Sequence, residues 1–431
     1  MVMSDMAVAA GIFSITYGMV MFRPKGINEG TAGLVGAVLT LLAGLVGFSD
    51  IKAVFMDTGG ILIMLLAMMV ISIIVDEAGF FEWIAVHSAR LAKGSGQRLF
   101  LSTFLMGTAV TTVISNDATA LIITPIVYSF VMKLGINPVP FLLVCTFIAD
   151  TASLSLPVSN LTNLLAFEQL EMEFIPYCLA LLLPTVVAVL ANYIIFRLVF
   201  RKAIPAVVRS DVLPKPSDCI KHPAFFKFSA WGLIFIVLGY VIGSSIGIPL
   251  EYIAIIGALA LIAAGCYYRQ IEIRKVFTQV SWSVLVFVIG MFIIVRGIQN
   301  TGLPTLAAQW LLSRVDGSLF KGLLYTTFGT AIGSNLINNV PMDLVMISIV
   351  REFPISEWLH PLGYAVVMGA GLGPNLTVIG SLATMLWLGT VRRKGITITA
   401  VDYFKIGLLT TPVMILSAVA ALYVSLLFLG F

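Results

Sequence analysis

Charged residues are scarce in this sequence, since Asp, Glu, Lys and Arg together make up 11% of its 431 residues. Soluble domains carry about 25% charged residues. This chain instead has 59% hydrophobic residues and a mean hydropathy of +1.05. A soluble globule cannot bury so much apolar surface, so a lipid bilayer must solvate part of it. The composition excludes a soluble enzyme, a disordered regulator and a nucleic-acid-binding protein, and it predicts a polytopic membrane protein.

Residues that bind metals or nucleotides are also few. The chain has three histidines and four cysteines, which form no CxxC pair and no zinc-ligand spacing: Cys145, Cys178, Cys219 and Cys266. The GxxxxGK[ST] pattern that cradles nucleotide phosphates is absent. We therefore expect no cofactor and no metal site. An ion gradient or a partner subunit must then supply the energy for any transport.

Long apolar runs are abundant, and they exclude an outer-membrane barrel, whose strands are short and alternating. The predicted segments are 4–22, 28–48, 57–78, 98–133, 139–170, 174–200, 225–243, 250–267, 277–300, 318–350, 357–391 and 403–430. A straight helix over 98–133 would be about 54 Å long, against a hydrocarbon core of about 30 Å. We therefore predict re-entrant hairpins at 98–133 and 318–350, and single broken helices at 139–170 and 357–391.

The basic residues test this assignment. With the N-terminus outside, and with five crossings and one hairpin in each half, 20 of the 25 Lys and Arg residues fall in cytoplasmic segments. Four fall outside, and Arg296 lies within a span. This bias follows the positive-inside rule. We predict that Arg296 is a structural counter-ion and does not bind substrate.

The two halves of the sequence resemble each other. Residues 107–117 align with 329–339 at a shift of 222, and 159–163 align with 380–384 at a shift of 221. Each half also places a tryptophan, Trp83 or Trp310, in a short amphipathic stretch before its hairpin. Because five crossings is an odd number, the second half must have the opposite orientation to the first.

The predicted fold class is an all-α polytopic membrane protein with two inverted-topology repeats, each of about five transmembrane helices, a re-entrant hairpin and one broken helix. The N-terminal repeat is 1–200, a cytoplasmic linker is 201–223, and the C-terminal inverted repeat is 224–431. This architecture is typical of secondary transporters, whose substrate site lies near the midplane where broken helices meet.

The breaks in the four long segments carry mostly neutral hydrogen-bonding side chains. Unwound backbone persists in a membrane only where it lines a cavity or is buried in protein. The predicted substrate-binding residues are Ser115, Asn116, Asn160, Thr162, Asn163, Asn338, Asn339, Asn375, Thr377, Ser381 and Thr384. This set suits a small polyhydroxylated or weakly charged solute, because it lacks the Arg or Lys clamp that a strong anion needs.

Three acidic residues lie deep in predicted spans: Asp117, Asp150 and Asp343. A carboxylate at a helix centre costs about 2.5–3.5 kcal/mol, so it needs a partner, water or a function. Removal from water favours the protonated form. We predict proton coupling by Asp117 and Asp150, which adjoin breaks. The alternative is a permanently neutral carboxyl that stabilises the break.

Four stretches resemble one transporter family. Residues 115–127, 149–163, 338–341 and 373–388 are similar to the arsenite efflux permeases, the arsenical pump membrane proteins of the wider ion transporter superfamily. The resemblance covers nearly the whole chain from about residue 28 onward. It implies export of arsenite and antimonite across the cytoplasmic (inner) membrane in exchange for protons, in some cases with a cytosolic ATPase. It also implies that hairpin tips and helix breaks bind the substrate.

The residues leave other functions open. A sodium/proton antiporter of the same fold would use the carboxylates and carbonyl oxygens at the breaks, and an exporter of another uncharged oxyacid, such as silicic acid, would use the same hydroxyl and amide groups. A channel subunit that pumps only with an ATPase partner is a third possibility. Arsenious acid is neutral near pH 7 and offers three hydroxyls, which fits the predicted residues.

Overall fold

The computed structural model describes residues 2–208 and 213–430, and these residues are almost entirely helical. Residues 1, 209–212 and 431 lie outside the described residues, so part of the predicted linker 201–223 does too. Within the described ranges, one isolated antiparallel bridge, between Ser95 and Val207, is the extent of β-structure. The predicted all-α class is confirmed.

The first half of the chain forms nine α-helices among the described residues. They are α1 (Val2–Phe22), α2 (Glu29–Leu42), α3 (Phe48–Glu77), α4 (Phe80–Leu91), α5 (Gly96–Val113), α6 (Thr124–Lys133), α7 (Val139–Thr151), α8 (Leu161–Gln169) and α9 (Phe174–Val199). The loop between α5 and α6 ends in a π-helix, Ala118–Ile123.

The second half repeats this order, apart from one additional short helix, α12. Its helices are α10 (Pro223–Ser245), α11 (Leu250–Tyr267), α12 (Ile273–Gln279), α13 (Trp282–Asn300), α14 (Leu303–Val315), α15 (Leu319–Ile337), α16 (Asn339–Arg351), α17 (Leu359–Leu372), α18 (Leu382–Arg393) and α19 (Ala400–Leu429). Seven helices of the described chain are long and apolar enough to cross a membrane: α1, α3, α9, α10, α11, α13 and α19.

The internal repeat is visible in the positions of the breaks. Asn116 lies at the tip between α5 and the π-helix, and Asn338 lies at the tip between α15 and α16. Asn160 and Ser381 immediately precede α8 and α18, the second arms of the two broken helices. These pairs are separated by the shifts seen in the sequence. The predicted hairpins and broken helices are therefore present in both halves.

The last helices of the two halves show that the repeats are inverted. The Ser425 hydroxyl near the end of α19 donates to the Leu179 carbonyl near the start of α9, at 3.5 Å. Midway along, Asn192 of α9 and Met414 of α19 both contact the Thr151 hydroxyl, at 3.1 and 3.7 Å. Equivalent helices thus run antiparallel along their shared length, as inverted repeats require.

The two halves also interlock at α2. This helix packs parallel to α13, and Gly30 and Gly33 allow a close approach of the backbones. A Cβ atom on Gly30 would lie 2.6 Å from the carbonyl oxygen of Ser283. In the same way α3 packs along α11. Each half therefore completes the packing of the other.

Three boundaries differ from the predictions. The segment 28–48 ends as a helix at Leu42, since Gly44 has a φ of +70°, and α3 then begins at Phe48 and not near 57. The segment 277–300 does not form a single helix, because the chain bends between α12 and α13. The break expected over 333–341 shrinks to Asn338, whose φ of +72° alone separates α15 from α16.

Candidate functional site

All four breaks contribute to one cavity of about 320 Å³. The first tip, the first break and the arms that follow them contribute Ser115, Asn116, Asp117, Ala118, Leu121, Ile122, Val158, Asn160, Leu161 and Leu164 to its wall. The second tip, the second break and their following arms contribute Asn339, Val340, Ser381, Leu382, Ala383 and Leu386. The predicted meeting of hairpin tips and helix breaks is therefore present in the fold.

Hydrogen bonds hold the first hairpin tip against the first helix break. The Thr112 hydroxyl on α5 donates to the Ala152 carbonyl at 3.0 Å, and the Ser159 hydroxyl donates to the Thr112 carbonyl at 2.6 Å. The Ser115 hydroxyl accepts from the Ala118 amide at 3.1 Å, which caps the return arm. The tip and the break are thus joined as one unit.

The π-helix that follows this tip was not predicted. Pro125 has no N–H to donate to the carbonyl four residues earlier, which loosens the normal α-helical pattern at this point. The Thr124 hydroxyl donates to the Thr119 carbonyl, five residues earlier, at 3.3 Å. π-helical turns occur frequently at functional sites. Here the wider turn directly follows Asp117, which is exposed to the cavity.

The first helix break is held by side chains that satisfy its backbone. The Asn163 amide donates to the carbonyls of Ser153 and Leu156, at 2.6 and 3.1 Å. The Tyr177 hydroxyl donates to the Leu154 carbonyl at 3.1 Å. Asn163 is fully buried and does not belong to the cavity wall. The structure thus places it as a support of the unwound chain.

The second half uses an equivalent scaffold. The Asn335 amide donates to the carbonyls of Ala331 and Gly373 at 2.8 and 2.7 Å, and the Thr377 hydroxyl donates to the Asn335 side-chain oxygen at 2.7 Å. Asn338 donates to the Ile379 carbonyl at 3.3 Å. These bonds tie the second tip to the second break. Asn335 was not among the predicted site residues.

A buried polar cluster surrounding Asp150 lies behind the cavity. The Thr384 hydroxyl donates to Asp150 Oδ2 at 3.2 Å, so the carboxyl of one repeat meets the broken helix of the other. Asn116 and Asp117 on the cavity wall are close enough to Asp150 to interact with its carboxyl. Asp150 is 1% exposed, and its Oδ1 has no hydrogen-bond partner within the described part of the chain. The cluster therefore contains a carboxyl oxygen with unused hydrogen-bonding capacity.

The remaining members of the cluster also come from both halves. The amides of Asn375 and Asn192 both donate to the Thr151 hydroxyl, at 3.2 and 3.1 Å. Thr146 and Thr384 share a hydrogen bond at 3.4 Å. The inverted repeats thus meet at hydrogen bonds centred on the end of α7.

The predicted site residues therefore divide into three sets. On the cavity wall are Ser115, Asn116, Asp117, Asn160, Asn339 and Ser381. In the cluster behind it are Asp150, Asn375 and Thr384. Buried or half-buried in the breaks are Thr162, Asn163, Asn338 and Thr377.

Two other charged residues were singled out in the sequence. Asp343 is fully buried on α16, outside the cavity wall, and neither carboxyl oxygen has a hydrogen-bond partner among the described residues. Arg296 pairs with Asp50 at 3.1 Å, as expected for a structural counter-ion.

The sequence predictions missed the opposite wall of the cavity. This wall consists of Leu65, Met68, Met69, Ser72, Ile73 and Asp76 from α3, together with Gln279, Ser281 and Val284. Within an apolar run, methionines resemble ordinary packing residues. The sequence feature that could have identified this wall is the spacing of Ser72 and Asp76, which places two polar residues one helical turn apart on a single face.

The cavity extends to the end of α3 that is predicted to be cytoplasmic, where Asp76 and Gln279 lie on its wall. Beside it, Lys275 of α12 donates to the Glu77 carboxylate at 2.7 Å, and this bond raises the pKa of Lys275. Lys275 therefore stays charged near neutral pH. The mouth of the cavity is thus a polar, ion-paired region.

Polar contacts join the helices at the opposite end of the molecule. The Gln299 amide on α13 donates to the Ser348 hydroxyl on α16 at 2.7 Å. The Arg351 guanidinium contacts the Gln169 carbonyl, and the Thr305 hydroxyl donates to Glu352 at 3.1 Å. We call Gln299, Ser348, Arg351 and Gln169 the outer seam. It joins α13 to the helices that carry the tips and breaks.

Comparisons with known proteins show that this chain is similar to one family of membrane proteins. A family model described as arsenical pump membrane protein matches residues 8–426. An arsenical pump membrane protein of Escherichia coli (strain K12) is 36% identical over 427 residues, which are 98% of this chain and 100% of that protein. A putative arsenical pump membrane protein of Bacillus subtilis (strain 168) is 26% identical, covering 97% of this chain and 99% of that one.

Solved structures share the fold at low sequence identity. The YdaH transporter of Alcanivorax borkumensis, described as having an unusual topology, superposes with a TM-score of 0.61 at 15% identity, over 89% of this chain and 88% of that one. MtrF of Neisseria gonorrhoeae, described as illuminating a class of antimetabolite efflux pumps, gives a TM-score of 0.58 at 14% identity, over 87% and 82%. Both likenesses concern the fold alone.

Proposed function

Because the chain belongs to the arsenical pump membrane protein family, we propose that it exports arsenite and antimonite from the cytoplasm in exchange for protons. The family identifies an arsenical efflux transporter that crosses the cytoplasmic membrane several times. The proton exchange, the inclusion of antimonite and the location of the site are our proposal. We also propose that the chain divides into an N-terminal repeat at 1–200, a linker at 201–223 and a C-terminal inverted repeat at 224–431.

The composition of the cavity wall carries this proposal. Its polar groups are hydroxyls, amides and two carboxyls, and no Lys or Arg belongs to the wall among the described residues. Arsenious acid is uncharged near neutral pH and both donates and accepts hydrogen bonds through three hydroxyls. Serine and asparagine side chains match such a solute, whereas an anion would need fixed cations. Ser115, Asn116, Asn160, Asn339 and Ser381 are the proposed ligands.

Asp117 and Asp150 are the proposed proton carriers. Asp117 faces the cavity, and Asp150 lies directly behind it with one carboxyl oxygen unbonded among the described residues. An ionised carboxylate is costly to carry through the centre of a bilayer. The substrate-free site therefore returns in its protonated form and releases the proton to the cytoplasm before arsenite binds. The loaded site then moves outward without the proton, with its carboxylate accepting hydrogen bonds from the hydroxyls of the solute, so one proton enters for each arsenite that leaves.

Such an exchange has a definite driving force. A neutral solute gains nothing from the membrane potential, but the counter-transported proton gains about 2.3 kcal/mol per 100 mV. That energy supports roughly a fifty-fold arsenite gradient. The aspartates thus give the chain a source of energy without a nucleotide site.

The linker is packed against the N-terminal repeat. The Arg90 guanidinium donates to the carbonyls of Leu213 and Pro214, at 3.2 and 2.9 Å. The Val208 amide donates to the Gly94 carbonyl at 2.9 Å. These contacts favour transport by the chain alone over obligatory docking of an ATPase at 201–223.

The proposed function is tested in everted vesicles that contain only this protein. A proton gradient is imposed without ATP, and arsenite uptake is followed by mass spectrometry. We expect accumulation that collapses on addition of an uncoupler. No accumulation with arsenite or antimonite would overturn the proposal. Sodium-driven uptake, or uptake that requires an added ATPase, would favour one of the alternative functions.

The direction in which the cavity opens gives a second prediction. In a background with the exposed thiol of Cys266 replaced by serine, Ser281→Cys places a thiol on the cavity wall. We expect a membrane-impermeant maleimide to label it in everted vesicles and not in right-side-out vesicles. Ser348→Cys in the outer seam is the matched control, since Ser348 is buried in this conformation. Labelling of Ser281→Cys only in right-side-out vesicles would contradict the predicted orientation.

A further inference from the structure

One face of α3 lines the cavity with side chains that change from apolar to acidic along the helix. Leu65, Met68, Met69, Ser72 and Asp76 follow one another at helical spacing along the cavity wall. The part of the wall made by the tips and breaks carries hydroxyl and amide groups. A ligand bound to those groups shares the cavity with the two thioether side chains.

The two methionines differ from ordinary packing residues in two ways. Both are half-exposed and contribute to the cavity wall, whereas Met64 on the same helix is 1% exposed and does not. In addition, the Tyr240 hydroxyl on α10 donates to the Met68 sulfur at 3.3 Å. Tyr240 is itself 1% exposed, so this contact holds the Met68 sulfur in a defined position.

We propose that Met68 and Met69 form a soft-donor wall that selects trivalent arsenic and antimony over hard hydroxides of similar shape. This inference rests on the proposed function and deepens it. Thioethers are soft ligands and prefer soft, polarisable centres. The hydroxyl and amide groups of the tips and breaks recognise the OH groups of the solute, which boric acid also has. The sulfur contacts recognise the central atom, which boric acid cannot match.

Antimony is larger and more polarisable than arsenic, so its contact with sulfur is the stronger of the two. Loss of the thioethers should therefore weaken the binding of antimonite more than that of arsenite. The binding of boric acid should not change, because boron makes no such contact. If the methionines had a purely steric role, the affinities for all three solutes would instead change by similar factors.

The test uses the double variant Met68→Leu/Met69→Leu in the full-length protein. Leucine nearly preserves volume and hydrophobicity, so the packing cost is small. Initial rates of proton-driven arsenite and antimonite uptake give KM values, and boric acid competition gives an inhibition constant. Met64→Leu is the matched control, and detergent-solubilised monodispersity confirms folding. If the double variant fails to fold, the same constants are measured for Met68→Leu, Met69→Leu and Tyr240→Phe separately.

We expect the KM for antimonite to rise about tenfold, which corresponds to about 1.4 kcal/mol. The KM for arsenite should rise less, the inhibition constant of boric acid should not change, and Met64→Leu should match the parent protein. Unchanged KM values, or equal changes for all three solutes, would overturn the soft-donor wall. Absence of metalloid transport by the unmodified protein would instead overturn the proposed function, so the two failures are distinguishable.

Discussion

Asp150→Asn is expected to reduce proton-driven arsenite accumulation to the level of vesicles that lack the protein. Asparagine retains an oxygen that accepts from the Thr384 hydroxyl, so the contact between the two repeats persists. It cannot release a proton, so the exchange step has no carrier. Asp117→Asn should have the same effect, because Asp117 lies on the cavity wall close enough to interact with the same carboxyl. Arsenite uptake in everted vesicles measures both.

Asp343→Asn is the matched control for these two variants. Asp343 is also a fully buried carboxyl on a membrane helix, but it lies outside the cavity wall. We expect this variant to retain at least half of the parent uptake rate. Parent-like accumulation in both Asp117→Asn and Asp150→Asn would refute their assignment as proton carriers. Loss of accumulation in Asp343→Asn alone would move that role to α16.

Gly290→Ala is expected to destabilise the packing between the two halves of the scaffold. A Cβ atom at this position would lie 2.4 Å from the carbonyl carbon of Gly33 and 2.5 Å from its oxygen. Backbone atoms cannot rotate away as a side chain can, so α2 and α13 must separate. Overpacking of this kind costs about 1–3 kcal/mol or more. The apparent melting temperature in detergent, followed by size-exclusion chromatography, should fall by several degrees.

Gly329→Ala provides the comparison. Gly329 lies on the exposed face of α15, and nothing lies within 4 Å of an added Cβ atom. Alanine in a helix is favoured over glycine by about 0.5–1 kcal/mol. This variant should therefore be as stable as the parent or slightly more stable. If both variants melt alike, the contact between α2 and α13 does not limit stability.

The sequence was most informative where membrane physics leaves few choices. A polar interruption such as Ser115 to Asp117 in a 36-residue apolar segment excludes a straight helix, and the tip lies at this point. The repeat alignment placed Asn116 opposite Asn338 in the two hairpins, which the structure confirms. In each case chain length and backbone hydrogen bonding determine the outcome.

The sequence was less informative where the function of a side chain depends on what faces it. Asn160 and Asn163 are three residues apart, yet Asn160 reaches the cavity wall and Asn163 donates to two carbonyls of the break. Met64 and Met68 lie one turn apart on nearly the same face of α3, yet only Met68 reaches the cavity wall. The depth of each residue along its helix and the placement of the break against the tips decide these roles, and both are set by packing between distant segments.

The interlocking of the two halves has a consequence for how the chain is synthesised. The glycine face of α2 packs against a helix that begins about 250 residues later. A ribosome adding about 5–20 residues per second needs roughly 12–50 s to reach it. For that period α2 sits in the bilayer without its final neighbour. A nascent chain that stalls in the linker would therefore expose this face to the proteases that remove incomplete membrane proteins.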